Sequence, residues 1–503
     1  MQDDPYKRAA EKFATAAKLE SIRMLINWDA QTHMPSGGAW ARGEQAGALA
    51  EVTGDLVGSE EIGDLLSEAE DFAAALTPAE RANLTEMQRL WARAMAVPRD
   101  LMIARERMIQ PLRRAWVDAK KENDFQAFAR GFKPLLETQK EIASALGEAL
   151  GLDPYDAMIE DRDPGITTAV IDPIFDDLAA SLPPIIEAVR ERQARWPAPI
   201  HFGDDFPVER QKALSTRIAE IIGHTSEHTR IDEAHHPFSM PHSPGDVRFT
   251  TRYDRNNFRY AMMATIHEAG HSMYELNLPR SLAFSPAGRA RGATAHESQS
   301  LMLEMMACRS REFIRFIAPV LREHLGGGEH AFTPTNLLNY LRRVDDDFIR
   351  VEADEISYPL HVILRYRLER AMMTGDLAVD DLPGAWNETF EQLFGRTPPD
   401  HARGVLQDVH WASGYIGYFP NYALGEVLAA QLYERATRDD PSILEGLGRG
   451  DFRPYFDWVR PRIHEQASLK PLAEIIEEAT GAALSPEPFK RHLKARYLEE
   501  PLD

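Results

Sequence analysis

The sequence is short of three things, and each shortage excludes a class of protein. It carries one cysteine, Cys308, in 503 residues. No disulfide can therefore form within the chain, which removes the main reason to expect an oxidised secreted scaffold. No stretch approaches the roughly 18–20 apolar residues that a membrane span requires. Positive charge is scarce too: 57 Lys and Arg stand against 79 Asp and Glu, a formal charge of −22. Affinity for phosphate backbones and anionic lipid comes mainly from Lys and Arg, so neither nucleic acid nor a membrane surface is an expected partner. The opening residues, MQDDPYKRAAEKFATAAKLE, contain no apolar segment of the secretory kind. The expectation is a cytoplasmic protein with small, neutral or cationic partners. Cys308 sits in an apolar stretch and reads as a buried, inert thiol.

Alternating Val, Ile and Thr runs are also rare, which disfavours a β-rich or doubly wound fold. What the chain has instead is helical periodicity. From Pro5 to about Gly151, apolar residues recur at one- and two-turn spacing, as in Leu135, Ile142, Leu146 and Leu150. Pro134, just before that run, fits the first position of a helix. A proline-rich stretch at 181–207, with Pro183, Pro184, Pro197, Pro199 and Pro207, predicts a hinge between two lobes. It would divide an N-terminal helical lobe of about residues 1–200 from a catalytic part of about residues 230–503. Strand character is confined to 235–253, where two extended pieces around Ser243-Pro244-Gly245 predict a hairpin. Helices are predicted again over 256–277, 294–317, 359–375 and 421–438. At roughly 150 residues per domain the length allows up to about three domains. Motifs spread from Trp28 to Pro420 point instead to one two-lobed unit.

The chemistry concentrates at His267-Glu268-Ala269-Gly270-His271. In a helix, residues four apart lie one turn apart on one face, so His267 and His271 can meet a single ion at roughly 2.0–2.1 Å. Glu268 lies beside that face, placed to take a proton from an activated water. Gly270 costs roughly 1 kcal/mol relative to Ala inside a helix, a cost compensated by close approach of a substrate or another backbone. A catalytic zinc site takes three protein ligands and keeps a fourth position open. Glu275 lies eight residues from His267, about 12 Å along the axis, and cannot share the ion. The pattern with a third histidine six residues after His271 is excluded by Tyr274 and Asn277. Glu297, in Thr294-Ala295-His296-Glu297, can return from the next helix as third ligand. The same Thr-x-x-Glu spacing is also a capping box, in which Glu297 would bond its own helix instead.

The HExxH motif followed by His296-Glu297-Ser298-Gln299 resembles the carboxypeptidase Taq family of metallocarboxypeptidases. Further motifs appear in that family's order: His236-Pro237-Phe238, Asp246-Val247-Arg248-Phe249-Thr250, and Gly404-Val405-Leu406-Gln407 continuing into Asp408-Val409-His410-Trp411. Asn27-Trp28-Asp29, Met34-Pro35 and Gly37-Gly38 resemble its opening helix and turn. The resemblance implies a mainly α, neurolysin-like zincin fold with a deep cleft between two lobes and a small sheet beside the metal-binding helix. It also implies a homodimer, His267, His271 and Glu297 as ligands of Zn²⁺ or Co²⁺, and release of single C-terminal residues from peptides with broad specificity. By a looser similarity to angiotensin-converting enzyme, Tyr418 would stabilise the oxyanion and Tyr415 would contact the substrate carboxylate. An exopeptidase in so acidic a chain needs a cation for that carboxylate. Arg350 is the first candidate and Arg403 the second, because a guanidinium pairs with a carboxylate bidentately. His236 and His410 are candidates for substrate contact. The competing readings are an oligopeptidase or dipeptidyl carboxypeptidase on the same scaffold, and a metal-free helical binding protein.

Overall fold

The computed structural model describes residues 4–328, 330–345 and 347–501. Helices α1 (Pro5–Thr32), α2 (Ala39–Val57), α3 (Glu60–Asp71) and α4 (Pro78–Ala96) come first, followed by α5 (Arg99–Glu122), α6 (Phe125–Leu150), α7 (Pro154–Glu160), α8 (Thr168–Gln193) and α9 (Val208–Ile222). Several open where a side-chain oxygen takes an otherwise free amide: Asp4 at α1, Ser59 at α3, Thr77 at α4 and Asp124 at α6. The last of these corrects the expectation for Pro134, which lies inside α6 rather than at its start. Buried Phe128, Phe132, Leu135 and Leu136 carry the helix through it, so packing overrides the lost amide.

The start of the proline-rich stretch is corrected in the same way. Pro183 and Pro184 sit within α8, flanked by buried Leu182, Ile185, Ile186 and Val189. The chain leaves the helix only after Gln193, and the segment that follows joins α8 to α9, whose Leu214, Ile218 and Ile222 enter the same apolar cluster. A separate N-terminal cluster is built from Tyr6, Phe13, Ile62, Leu65, Leu84, Met87 and their neighbours. Helices α5–α9 share their core with the rest of the chain.

The predicted hairpin is present as β2 (Ser239–Ser243) and β3 (Asp246–Thr251), antiparallel, with one strand more: β1 (Thr229–Glu233) runs parallel to β3 in the order β1-β3-β2. Thr250 ties the hairpin together, its backbone N–H donating to Phe238 O at 2.9 Å and its hydroxyl oxygen accepting the Phe238 N–H at 3.0 Å. β3 is covered by α10 (Phe258–Leu276), the predicted metal-binding helix. Then come α11 (Gly292–Leu301), a π-helical turn (Met302–Ala307), α12 (Arg311–Leu325), α13 (Pro334–Leu341), α14 (Tyr358–Thr374) and α15 (Leu382–Phe394). The chain closes with α16 (Pro420–Asp439), α17 (Ser442–Leu447), α18 (Arg453–Arg462), α19 (Leu472–Thr480) and α20 (Glu487–Lys494). The helix predicted across 294–317 is thus interrupted. A run as apolar as Leu301–Ala307, broken only by Glu304, shows no face, so its period cannot report the extra residue of the π-turn. No helix among the described residues is long and apolar enough to cross a membrane.

Candidate metal centre

Helix α10 delivers His267 and His271, and α11 lies across it close enough to deliver Glu297. Gly270 makes that approach possible: a Cβ there would lie 2.6 Å from Ser300 Cα and 2.7 Å from Gln299 O. On the far side of α11, a Cβ on Gly425 of α16 would fall 2.8 Å from Glu297 Cβ. The candidate third ligand, Glu297, is therefore carried by a helix held between two glycines. The capping box is not what forms, since α11 begins at Gly292 and the Thr294 amide donates to both Asp163 carboxylate oxygens at 3.0 Å. That leaves the Glu297 carboxylate free to face the histidines.

The geometry suits a cation. The ligating atoms of His267, His271 and Glu297 lie within 4.8 Å of one another, with His267 Nε2 at 3.8 Å and His271 Nε2 at 3.5 Å from the Glu297 oxygens. Ligands around a tetrahedral ion at 2.0–2.1 Å are about 3.4 Å apart. Each imidazole is oriented from behind. His267 Nδ1–H donates to Glu304 at 2.9 Å, and His271 Nδ1–H donates to the His296 carbonyl at 3.1 Å, so both rings turn Nε2 toward Glu297. Burial opposes charge on His267, yet the Glu304 hydrogen bond and the charges of Glu297 and Glu268 outweigh it and raise its pKa to about 10. Three carboxylates around two imidazoles make a site that a bound cation would suit.

Glu268 is 6% exposed. Burial lifts its pKa to about 7, with Glu297 adding to the rise and His267 opposing it. His296 stacks on His271 with centroids 4.5 Å apart and bonds Glu275 at 2.9 Å. Cys308 is buried and its thiol pKa is pushed well up by burial.

The expected substrate residues gather beside this centre. Tyr415 and Tyr418 stack at 5.4 Å, and the Arg162 guanidinium lies 5.2 and 5.3 Å from their ring centroids. They stand on a loop before α16 rather than on a helix face. Burial raises the Tyr418 pKa and the charge of Glu297 raises it further, which places the hydroxyl within electrostatic reach of the third ligand. His410 packs on Tyr418 at 5.7 Å and contacts the Tyr422 hydroxyl at 3.3 Å. Burial and Arg350 both lower the pKa of the more exposed His236.

Arg350 is buried and bonded. Its Nε and Nη2 donate to Asp408 at 3.1 and 2.9 Å, Nη1 donates to the Tyr358 hydroxyl at 3.0 Å, and its backbone N–H donates to Gln407 at 2.8 Å. Arg365 donates to the other Asp408 oxygen at 2.6 Å. One carboxylate is thus shared by two guanidinium groups, and burial keeps His410 and His361 neutral by lowering their pKa values. The cluster retains one positive charge. Arg403 differs: it is exposed and paired with Asp400 at 2.9 Å, a surface ion pair rather than part of this cluster.

Sequence reasoning missed Glu304, Arg365, Tyr358 and Tyr422. Tyr422 stands four residues after Tyr418, a usable signal. Glu304 had none, because the π-turn that aims it at His267 is invisible in the pattern. A cavity of about 540 Å³ opens near Glu275, between α1, β2 and the end of α10.

Comparison with known proteins identifies the family. The family model described as carboxypeptidase Taq (M32) metallopeptidase matches residues 8–497. "Thermostable carboxypeptidase 1" of Thermus thermophilus is 33% identical over 98% of each chain. Among solved structures, "Trypanosoma Cruzi Metallocarboxypeptidase 1" superposes with a TM-score of 0.95 at 33% identity, covering 98% of this chain and 99% of that one. An M32 carboxypeptidase from Deinococcus radiodurans R1 gives 0.91 at 32%, with the same coverage. The chain belongs to the carboxypeptidase Taq (M32) family and is a metallocarboxypeptidase, a peptide hydrolase.

Proposed function

We propose that this metallocarboxypeptidase uses zinc held by His267, His271 and Glu297 to release single C-terminal residues from peptides of varied sequence. Two imidazoles and one carboxylate are a donor set suited to Zn²⁺, with Co²⁺ an acceptable replacement. When bound, such an ion polarises a carbonyl and lowers the pKa of a water. The chain's own groups do the rest. Glu268, buried between the ligands, takes the proton of the attacking water and hands it to the departing amine. Tyr418 donates a hydrogen bond to the oxygen on which negative charge develops, a contribution of about 3 kcal/mol for donors of this kind. The substrate carboxylate docks at the Arg350–Arg365–Asp408 cluster, whose residual positive charge suits it, with His236, His410 and Tyr415 alongside.

The observation that carries this reading is the adjacency of a three-ligand cation site and a buried cluster with one positive charge to spare. An endopeptidase needs only the first. Glu268→Gln tests the proton role: metal should remain near one ion per chain while kcat falls by about 10²–10⁴-fold. Retention of more than about a tenth of the activity would contradict the range expected for a general base. Mass spectrometry of a digested peptide tests the exopeptidase role, for which losses of one residue at a time are expected; internal fragments or dipeptides would refute it.

A further inference from the structure

The loop that carries Tyr415 and Tyr418 has little regular structure to hold it. Gly414 and Gly417 both adopt positive φ, at 69° and 72°. Gly417 also lies against α7, where a Cβ would come within 2.9 Å of Ile159 N. Local bonds close its first turn, with Tyr415 N–H donating to His410 O at 3.0 Å, and Gln139 and Arg105 donate to the Gly414 carbonyl. A single buried carboxylate reaches both Trp411 at the start of the loop and Gly417 beside Tyr418. Glu369 of α14, fully buried, accepts the Gly417 N–H at 2.6 Å and the Tyr155 hydroxyl at 2.8 Å on one oxygen, and Trp411 Nε1–H at 2.8 Å on the other.

We propose that Glu369 is a positioning residue for catalysis, holding the 411–419 loop so that Tyr418 meets the developing oxyanion. The inference rests on the oxyanion role proposed for Tyr418. Its basis is chemical: all three partners only donate here, and an ionised carboxylate is the side chain that accepts three donors. Trp411 and Gly417 bracket the loop, so the two oxygens pin it at its start and just before Tyr418, while Tyr155 ties the same carboxylate to α7. Burial without a cationic partner is a costly setting for a carboxylate, and it lifts the Glu369 pKa to about 7. A core packed only for stability would fill this position with an apolar side chain.

Glu369→Gln keeps size and shape but turns an amide N–H₂ toward at least one donor. Hydrogen exchange read by mass spectrometry reports the loop directly, and steady-state kinetics on an unblocked peptide report its consequence. The expected result is faster exchange confined to 411–419, a kcat lowered about tenfold with KM within about twofold, and a Glu369→Gln/Tyr418→Phe double variant no slower than Tyr418→Phe alone. Unchanged exchange in the loop overturns the proposal. So do losses that multiply in the double variant, which would mean that Glu369 acts through something other than Tyr418. If Tyr418→Phe alone retains full kcat, the oxyanion reading fails, and the exchange measurement still decides whether Glu369 holds the loop. Should Glu369→Gln not fold, Tyr155→Phe removes one donor and keeps the carboxylate. It is expected to raise exchange in the same segment, and no rise there refutes the anchoring.

Discussion

Gly270→Ala adds a single methyl group to α10, and the structure says where it must go. The new Cβ would stand 2.6 Å from Ser300 Cα and 2.7 Å from Gln299 O, whereas carbon contacts settle near 3.5–4.0 Å. Because both neighbours are backbone, no side chain can swing away, and α11 must retreat by about 1 Å. Glu297 rides on α11 three residues before Ser300, so the third ligand retreats too, against a tolerance of about 0.2 Å for a metal site. Two terms compete in stability: alanine gains about 1 kcal/mol of helix propensity, and overpacking costs about 1–3 kcal/mol. The net change is a loss of roughly 0–2 kcal/mol. The effect on the metal is larger, with affinity falling by at least the 10–100-fold seen when ligand support is lost. Competition with a chelator of known affinity measures it, and thermal unfolding measures the stability term. Gly43→Ala in α2, where a Cβ would meet nothing within 4 Å, is the control, expected to be neutral or slightly stabilising. If Gly270→Ala binds metal as tightly as the parent, the close approach of α11 is not what places Glu297.

Three further outcomes follow from the site. Glu304→Gln keeps a hydrogen bond to His267 but removes the charge behind it, so metal affinity should fall about 10–100-fold; unchanged affinity in a zinc titration would show that Glu304 does not support the ligand. Arg350→Lys keeps the charge but loses the two-pronged bond to Asp408, so KM should rise more for free-carboxylate than for C-terminally amidated peptides, while Arg403→Ala leaves both within about twofold; equal effects on the two substrates would remove Arg350 from carboxylate binding. Glu369 has a folded pKa of about 7 against an ordinary value of 4.5, so the folded state keeps a proton that the unfolded chain releases. Its contribution favours folding fully below pH 4.5 and is lost as pH rises to about 7, a swing of about 3 kcal/mol that Glu369→Gln should abolish in urea unfolding; parallel pH profiles would disprove the shift.

What the sequence could reveal depended on whether the signal was local. His267, Glu268 and His271 announce themselves because four-residue spacing on a helix is a local property. The hairpin was readable from its turn, but β1 was not, since its pairing with β3 depends on how α9 returns the chain. Pro134, Pro183 and Pro184 misled because each was read as local punctuation while buried neighbours on either side kept the helix intact. The choice between cap and ligand for Glu297 could not be made locally at all. It was decided by Asp163, 131 residues earlier, which takes over the Thr294 amide. Glu304, Arg365 and Glu369 stayed hidden for a related reason, because nothing in their own segments distinguishes a buried functional carboxylate or guanidinium from a surface charge.

The position of α11 between Gly270 and Gly425 has a consequence for how the protein is made. His271 and Gly425 are separated by 154 residues in the chain, and at synthesis rates of about 5–20 residues per second the second follows the first by roughly 8–30 s. During that interval the HExxH helix exists without the helix that confines its third ligand. Non-local packing of this kind forms late in folding. Tight metal retention therefore reports that α16 has docked, and a polypeptide ending before α16 should carry both histidines yet hold the ion only loosely.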